Sequence, residues 1–225
     1  MSDRLYPRLA IIDPVMTMTM PPKVTAATGM DALTHAIEAY YGLQKNPISD
    51  ALALSAIDLI FKYLAACTEK GSDKEARLAM ANAALIAGIA FSNSMVGIVH
   101  ALAHSCGGVA HVPHGVANAI LLPYGMEYNL KKASERIAAL APYMGIKDLP
   151  DSVNERAKAA IQAVRDLNKK LNKLSGLPLT LADAGVSEDQ LSEIAKASVN
   201  DGSCLYNPED ITVKSALEVL KKAYK

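Results

Sequence analysis

The chain contains no tryptophan and two phenylalanines, and aromatic residues make up 5% of its 225 positions. A surface that binds single-stranded nucleic acid needs aromatic platforms for base stacking, so that class is disfavoured. Net charge is missing too, because 23 Lys and Arg balance 23 Asp and Glu. With no basic block, nothing electrostatic points to nucleic acid or to an anionic membrane as a partner. Cysteine is scarce: Cys67, Cys106 and Cys204 are odd in number and form no CxxC pair. That pattern argues against a disulfide framework and a cysteine zinc site, and a reducing, cytoplasmic setting is expected. The opening "MSDRLYPRLAIID" places charges where a signal peptide needs an apolar stretch, so no secretion signal is expected.

What is present is mostly helix. The length suits one large domain or two small ones with a real core. "RLAIID", a short apolar run between Pro7 and Pro14, reads as a buried strand. After Pro21-Pro22 the periodicity becomes helical. "TAATGMDALTHAIEAYYG" closes at Gly42, and the next helix is entered through Asn46-Pro47. Ser72 with Glu75, Ser152 with Glu155 and Ser187 with Gln190 have the form of capping boxes, and a last helix runs from about Thr212. There is no internal repeat. A lone strand must find partners for its backbone groups, either on another chain or in a sheet that these residues do not contain. The expected fold is an all-α bundle with one short N-terminal strand.

From Leu78 to Met126 there is no Asp, Glu, Lys or Arg. A surface helix shows a charged face, so helices here should be enclosed by protein. A membrane span is the rival, since "LAMANAALIAGIAFSNSMVGIVHALAH" exceeds the ~20 residues needed. Its Ala, Gly, Ser and Asn content and the lack of an aromatic belt favour the centre of a soluble bundle.

Inside that uncharged run, "HALAHSCGGVAHVPHG" carries four of the chain's five histidines. A buried imidazolium is costly, so these rings should be neutral and hydrogen-bonded, or metal-bound. His100 and His104 are four apart and share a helix face. The run breaks at Gly107-Gly108, and His114 follows a proline. Upstream, Asp31 and His35 form another i, i+4 pair. A histidine pair alone is a common hydrogen-bonded core feature, and an acid near a helix start is favoured by the dipole. The coincidence of all five histidines in two segments shifts the balance to a four-ligand divalent site of one carboxylate and three imidazoles. His111, in the bend before Pro113, is read as structural. Such a site, carrying net +1, can hold an alkoxide or polarise a carbonyl, or it can ionise water for hydrolysis. The residues alone do not choose.

"PPKVTAATGMDALTHAIEAY" together with "AFSNSMVGIVHALAHSCGGVAHVPHGVANAILLP" resembles the iron-containing, or group III, alcohol dehydrogenases. The resemblance runs over essentially the whole chain and is dense between residues 5 and 130. It implies a dehydroquinate synthase-like helical C-terminal domain and reversible hydride transfer between a primary alcohol and NAD(P). It places four metal ligands on Asp31, His35, His100 and His114, with Fe(II) the usual metal and zinc a tighter competitor. It places His104 near nicotinamide and substrate as a catalytic residue, with His114 also beside the cofactor, and Phe91 and Cys204 in the substrate pocket.

Two features depart from the family. There is no Gly-rich loop after a strand to cradle a pyrophosphate, because Gly107-Gly108 lies inside the histidine motif. Residues 1–20 therefore read as the last strand and linker of an absent nucleotide-binding domain, and 21–225 as the helical metal-binding domain. The family's Asn-Pro-Arg is here Asn207-Pro208-Glu209. The expected activity is alcohol oxidation carried by a half-enzyme, with weak NAD binding and slight turnover alone. Expected partners are a small primary alcohol or aldehyde, and either further copies of the chain or a chain supplying the nucleotide-binding domain. The alternative is a non-catalytic metal-binding module that pairs through its strand edge. Metal-dependent hydrolysis ranks below both, because the histidine segments offer no obvious general base.

Overall fold

A computed structural model describes residues 8–225, and over these the fold is built from eight α-helices. They are α1 (Pro22–Tyr41), α2 (Pro47–Glu69), α3 (Lys74–Ser92), α4 (Ile98–Ala110), α5 (His114–Ala139), α6 (Val153–Ser175), α7 (Leu191–Ser198) and α8 (Val213–Tyr224). Short 3-10 turns lie at Pro14–Thr17, Ala141–Met144, Glu188–Gln190 and Gly202–Tyr206. No strand occurs among the described residues. The expected strand is overturned: residues 8–13 are irregular, and Leu9 and Ile11 are exposed. An apolar run becomes a strand only when a neighbour satisfies its N–H and C=O groups, and nothing here does. Met1–Pro7, where the expected N-terminal segment begins, lie outside the described residues.

Helix α1 is the central element. It packs against α2, α3 and α5, and most of its residues are buried on all sides. Its alanines, Ala26, Ala32, Ala36 and Ala39, let those neighbours approach closely. The uncharged run divides into α3, a turn at residues 93–97, α4 and the first half of α5, so it forms no single long span. It is less enclosed than its composition implies, because Leu78, Leu85 and Ile89 leave an exposed stripe on α3. Among the described residues, the helix that has the length and hydropathy of a membrane span is α2, which packs between α1 and α3 and carries Asp58 and Lys62.

Helix ends follow local chemistry with two departures from the sequence signals. Asn46 and Ser49 cap α2 reciprocally, as do Thr212 and Ser215 for α8 and Ser187 and Gln190 for the turn entering α7. The cap of α3 is Asp73, accepting from the Ala76 N–H, rather than Ser72. Ser152 stands at the start of α6 without a side-chain cap bond. Inside α5, Pro123 has no N–H to give the carbonyl of Ala119 one turn back. Asn168 of α6 supplies the missing donor, its Nδ2 lying 2.6 Å from Ala119 O. The helix therefore runs on through its proline and changes direction later, at Ala133.

Candidate metal centre

Three helices meet at the histidine cluster. From α1 come Asp31, His35 and Glu38, at i, i+4 and i+7 on one face. From α4 come His100, third residue of the helix, and His104 one turn on. Helix α4 continues through Gly107-Gly108 and ends at His111, which takes the left-handed conformation (φ 57°). His114 is the first residue of α5, and Asn118 follows one turn later. Gly115 brings that helix start against α1: a Cβ there would meet the Ala27 carbonyl oxygen at 2.5 Å.

One ligand atom each from Asp31, His100 and His114 falls within a set no wider than 4.8 Å. His114 Nε2 is 3.2 Å from Asp31 Oδ1, and His100 Nε2 is 3.7 Å from the same oxygen. Ligands about 2.1 Å from a tetrahedral ion stand about 3.4 Å from one another, so this spacing suits a divalent cation. His35 stands beside the set. Its Nδ1 is 3.8 Å from Asp31 Oδ2, and its ring lies between Phe91 and His100 with both centroid distances 4.3 Å.

The amide of Asn118 marks the same point. Its Nδ2 is 2.5 Å from Asp31 Oδ1, 3.0 Å from His114 Nε2 and 3.3 Å from His100 Nε2, while its buried Oδ1 has no partner. Three nitrogens, one each from Asn118, His100 and His114, crowd a single carboxylate oxygen, where a cation would be better matched and the orphaned amide oxygen could turn toward it.

Glu38 changes the charge count. It is fully buried and lies 2.6 Å from His100 Nδ1. A divalent ion with Asp31 alone leaves net +1, and Glu38 brings the set to zero. Burial raises the Glu38 carboxyl, but the hydrogen bond and charge of His100 and the backbone N–H groups of Gly97 and Val99 bring it below its usual value. Burial works against the charge of His100, yet the hydrogen bonds of Asp31 and Glu38 carry its pKa up to about 9. His35 goes the other way, pushed down to about 4 by burial and by the charge of His100. Asp31 is partly exposed rather than enclosed. Burial raises its carboxyl, but hydrogen bonds from His100 and His114 and the charge of His35 hold it well below the usual carboxylate range. A site so arranged draws positive charge, as protons or as a metal.

Residues 25–224 match the family model described as "Fe-containing alcohol dehydrogenase family, C-terminal". The chain belongs to the iron-containing alcohol dehydrogenase family. It is 41% identical over 224 residues to alcohol dehydrogenase 4 of Saccharomyces cerevisiae, covering 99% of this chain and 56% of that protein. It is 41% identical over 221 residues to 1,3-propanediol dehydrogenase of Citrobacter freundii, covering 98% and 56%. A crystal structure of 1,3-propanediol oxidoreductase superposes with a TM-score of 0.90 at 40% identity, over 94% of this chain and 55% of that one. The chain thus spans about half the length of the relatives it matches, and the match is to their C-terminal half.

Iron-containing alcohol dehydrogenases are metal-dependent and use NAD(P), and the donor set here fits a divalent ion. Of the four ligands that the family resemblance implies, Asp31, His100 and His114 converge and His35 adjoins them. His104 stands at the edge of the cluster, half-exposed, stacked at 5.2 Å on His114, with its Nδ1 2.8 Å from Asp201 Oδ2. Phe91 covers His35. Cys204 donates to the Ser198 carbonyl from the turn at Gly202–Tyr206, and its thiol is raised to about 11, by burial and then by Asp201 and Glu38. His111 is exposed and remote in role, serving as the C-cap of α4. An apolar cavity of about 370 Å³ borders His114, walled by Val24, Ala27, Pro113 and Val116.

Sequence reasoning passed over Glu38, Asn118 and Asp201. Glu38 had a usable signal, since i+7 from Asp31 returns to the same helix face. Asn118 repeats that signal one turn after His114. Asp201 had none, because 97 residues separate it from His104.

Proposed function

We propose that this chain carries the metal site of an NAD(P)-linked dehydrogenase that interconverts a small primary alcohol and its aldehyde. The observation that carries the reading is the convergence of Asp31, His100 and His114 from three separate helices. These three, with His35 completing the set, would hold Fe(II) or zinc. The bound ion supplies Lewis-acid chemistry toward an alcohol or carbonyl oxygen.

The chain's own residues supply binding and proton handling. Asp201 accepts from Nδ1 of His104, which leaves Nε2 as the acceptor nitrogen at the half-exposed edge of the site. His104 is thereby poised to take the hydroxyl proton of an alcohol and return it in the reverse direction. Phe91, against His35, offers an apolar wall beside the reacting carbon.

The dinucleotide phosphates have no cradle among the described residues, since Gly107 and Gly108 are helical. Residues 21–225 then act as the metal-binding unit, and the nucleotide-binding unit is a separate region of sequence, on this protein or on a partner. Fe(II) as the ion and the three free cysteines suit a reducing, cytoplasmic setting. Pairing through a strand edge loses its basis, because residues 8–13 form no strand.

Metal analysis with substitution His100→Ala tests the reading. The chain should bind about one zinc ion, His100→Ala should lose it, and NAD-linked oxidation of short alcohols by this chain alone should be slight. Undiminished zinc binding by His100→Ala would remove the metal from this place.

A further inference from the structure

We propose that Glu38 is the positioning residue of this centre: it sets where helix α4 begins and which nitrogen His100 presents to the metal. The inference rests on the metal site proposed above, and it assigns a role to a residue that touches neither metal nor substrate.

The argument starts from a helix without its own cap. The N-cap of α4 is Gly97, which has no side chain to accept from the first-turn N–H groups. Two side chains distant in sequence do so instead. Asn207 Oδ1 is 3.2 Å from the Ile98 nitrogen. Glu38 Oε1 is 2.8 Å from the Val99 nitrogen, and Oε2 is 3.4 Å from that of His100. A carboxylate at a helix N-terminus is also favoured by the dipole. The first turn of α4, which contains His100, is therefore built onto α1.

The same carboxylate then acts on the ring. His100 Nδ1 is 2.6 Å from Glu38 Oε2, and the Tyr41 hydroxyl is 3.3 Å from Oε1. No Lys or Arg among the described residues pairs with Glu38, whose ion-pair partner is His100. Each group around Glu38 is a donor, so the carboxylate accepts throughout and Nδ1 of His100 must carry a hydrogen. A neutral ring with its hydrogen on Nδ1 has its lone pair on Nε2. Nε2 is the atom that faces Asp31 Oδ1 and the Asn118 amide. Carboxylate partners of this kind fix the tautomer and orientation of ligating histidines.

Substitution Glu38→Gln separates the two duties. One amide oxygen can still accept from α4, but the NH2 group now faces Nδ1 and donates to it. That forces the hydrogen onto Nε2, where it blocks ligation. Zinc affinity, measured by competition with a chromophoric chelator, should fall about 10- to 100-fold. Glu38→Asp, still an acceptor, should recover part of that loss. Asn207→Ala removes the other cap without touching the ring, so it should lower the melting temperature and leave zinc affinity within about threefold. A Glu38→Gln protein that folds and binds zinc as tightly as the parent would overturn the proposal, provided His100→Ala loses the metal. Should Glu38→Gln not fold, the unsubstituted zinc-bound protein decides, by nitrogen NMR of labelled histidine. The proposal requires His100 to be ligated at Nε2 with hydrogen on Nδ1, and ligation through Nδ1 ends it.

Discussion

Helices α1 and α6 are similar in length, 20 and 23 residues, and dispose of their ionisable groups in opposite ways. In α6 the buried positions are Ala157, Ala160, Ile161, Val164, Leu167, Asn168 and Leu171, and the lysines, arginines and acids between them face outward. That is the ordinary division of an amphipathic helix. In α1 the apolar residues surround the helix, and Asp31, His35 and Glu38 point toward a common centre with two other helices. The same spacing rule builds both. A polar stripe on a helix packed all round must be satisfied by partners, whereas a polar stripe on α6 is satisfied by water.

The sharpest way to break the comparison is to move one helix end. Gly115→Ala places a methyl group against the Ala27 carbonyl and pushes the start of α5, with His114, away from Asp31. Stoichiometric zinc binding should be lost. The matching change on the other helix is Leu171→Ala. It should cost about 2–5 kcal/mol of stability by chemical denaturation and leave zinc affinity unaltered. If both variants lose zinc to the same degree, the site is merely sensitive to global stability.

Metal removal comes next. At zinc concentrations 100-fold above the dissociation constant, binding adds about 2.7 kcal/mol to the native state. A chelator should therefore lower the melting temperature of the parent protein and leave that of His100→Ala where it was. An unchanged parent value would count against a shared site.

A third effect is smaller and has a definite sign in each direction. For metal-free protein, His100 has its folded pKa raised to about 9 from 6.5. Its contribution is fully present below pH 6.5 and is lost as pH rises through about 9. His35 has its folded pKa depressed to about 4, so stability is lost as pH falls from 6.5 toward 4. Denaturation midpoints of the chelated protein should be highest near pH 6.5 and fall on both sides. Zinc takes the place of the His100 proton, so the alkaline loss should shrink in the zinc form. The smallest effect concerns the thiols. Burial raises Cys106 to about 12 and Cys204 to about 11. At pH 8 both should react with iodoacetamide on the order of 100-fold more slowly than a free thiol, or slower still. Fast labelling of the native protein would contradict that burial.

Most of the helical architecture and the core of the centre could be read from sequence, because both rest on periodicity. Asp31 with His35, and His100 with His104, are one turn apart and lie on a face. What escaped is what periodicity does not encode. The run at residues 8–13 has the composition of a strand, yet a strand is a property of two segments. Ser72 has the form of a cap, but Asp73, one residue on, has the carboxylate that reaches the Ala76 N–H. Asp201 left no periodic signal, because its partner, the His104 ring, comes from 97 residues away.

Pro123 has a consequence beyond its own turn. The carbonyl it releases at Ala119 is gripped by Asn168, so α6 holds α5 by main chain, only five residues from the first residue of α5, His114. A buried residue of α6 thereby anchors the strut that carries His114. A displacement of α6 would therefore be transmitted to the histidine cluster, through an asparagine that lies outside it.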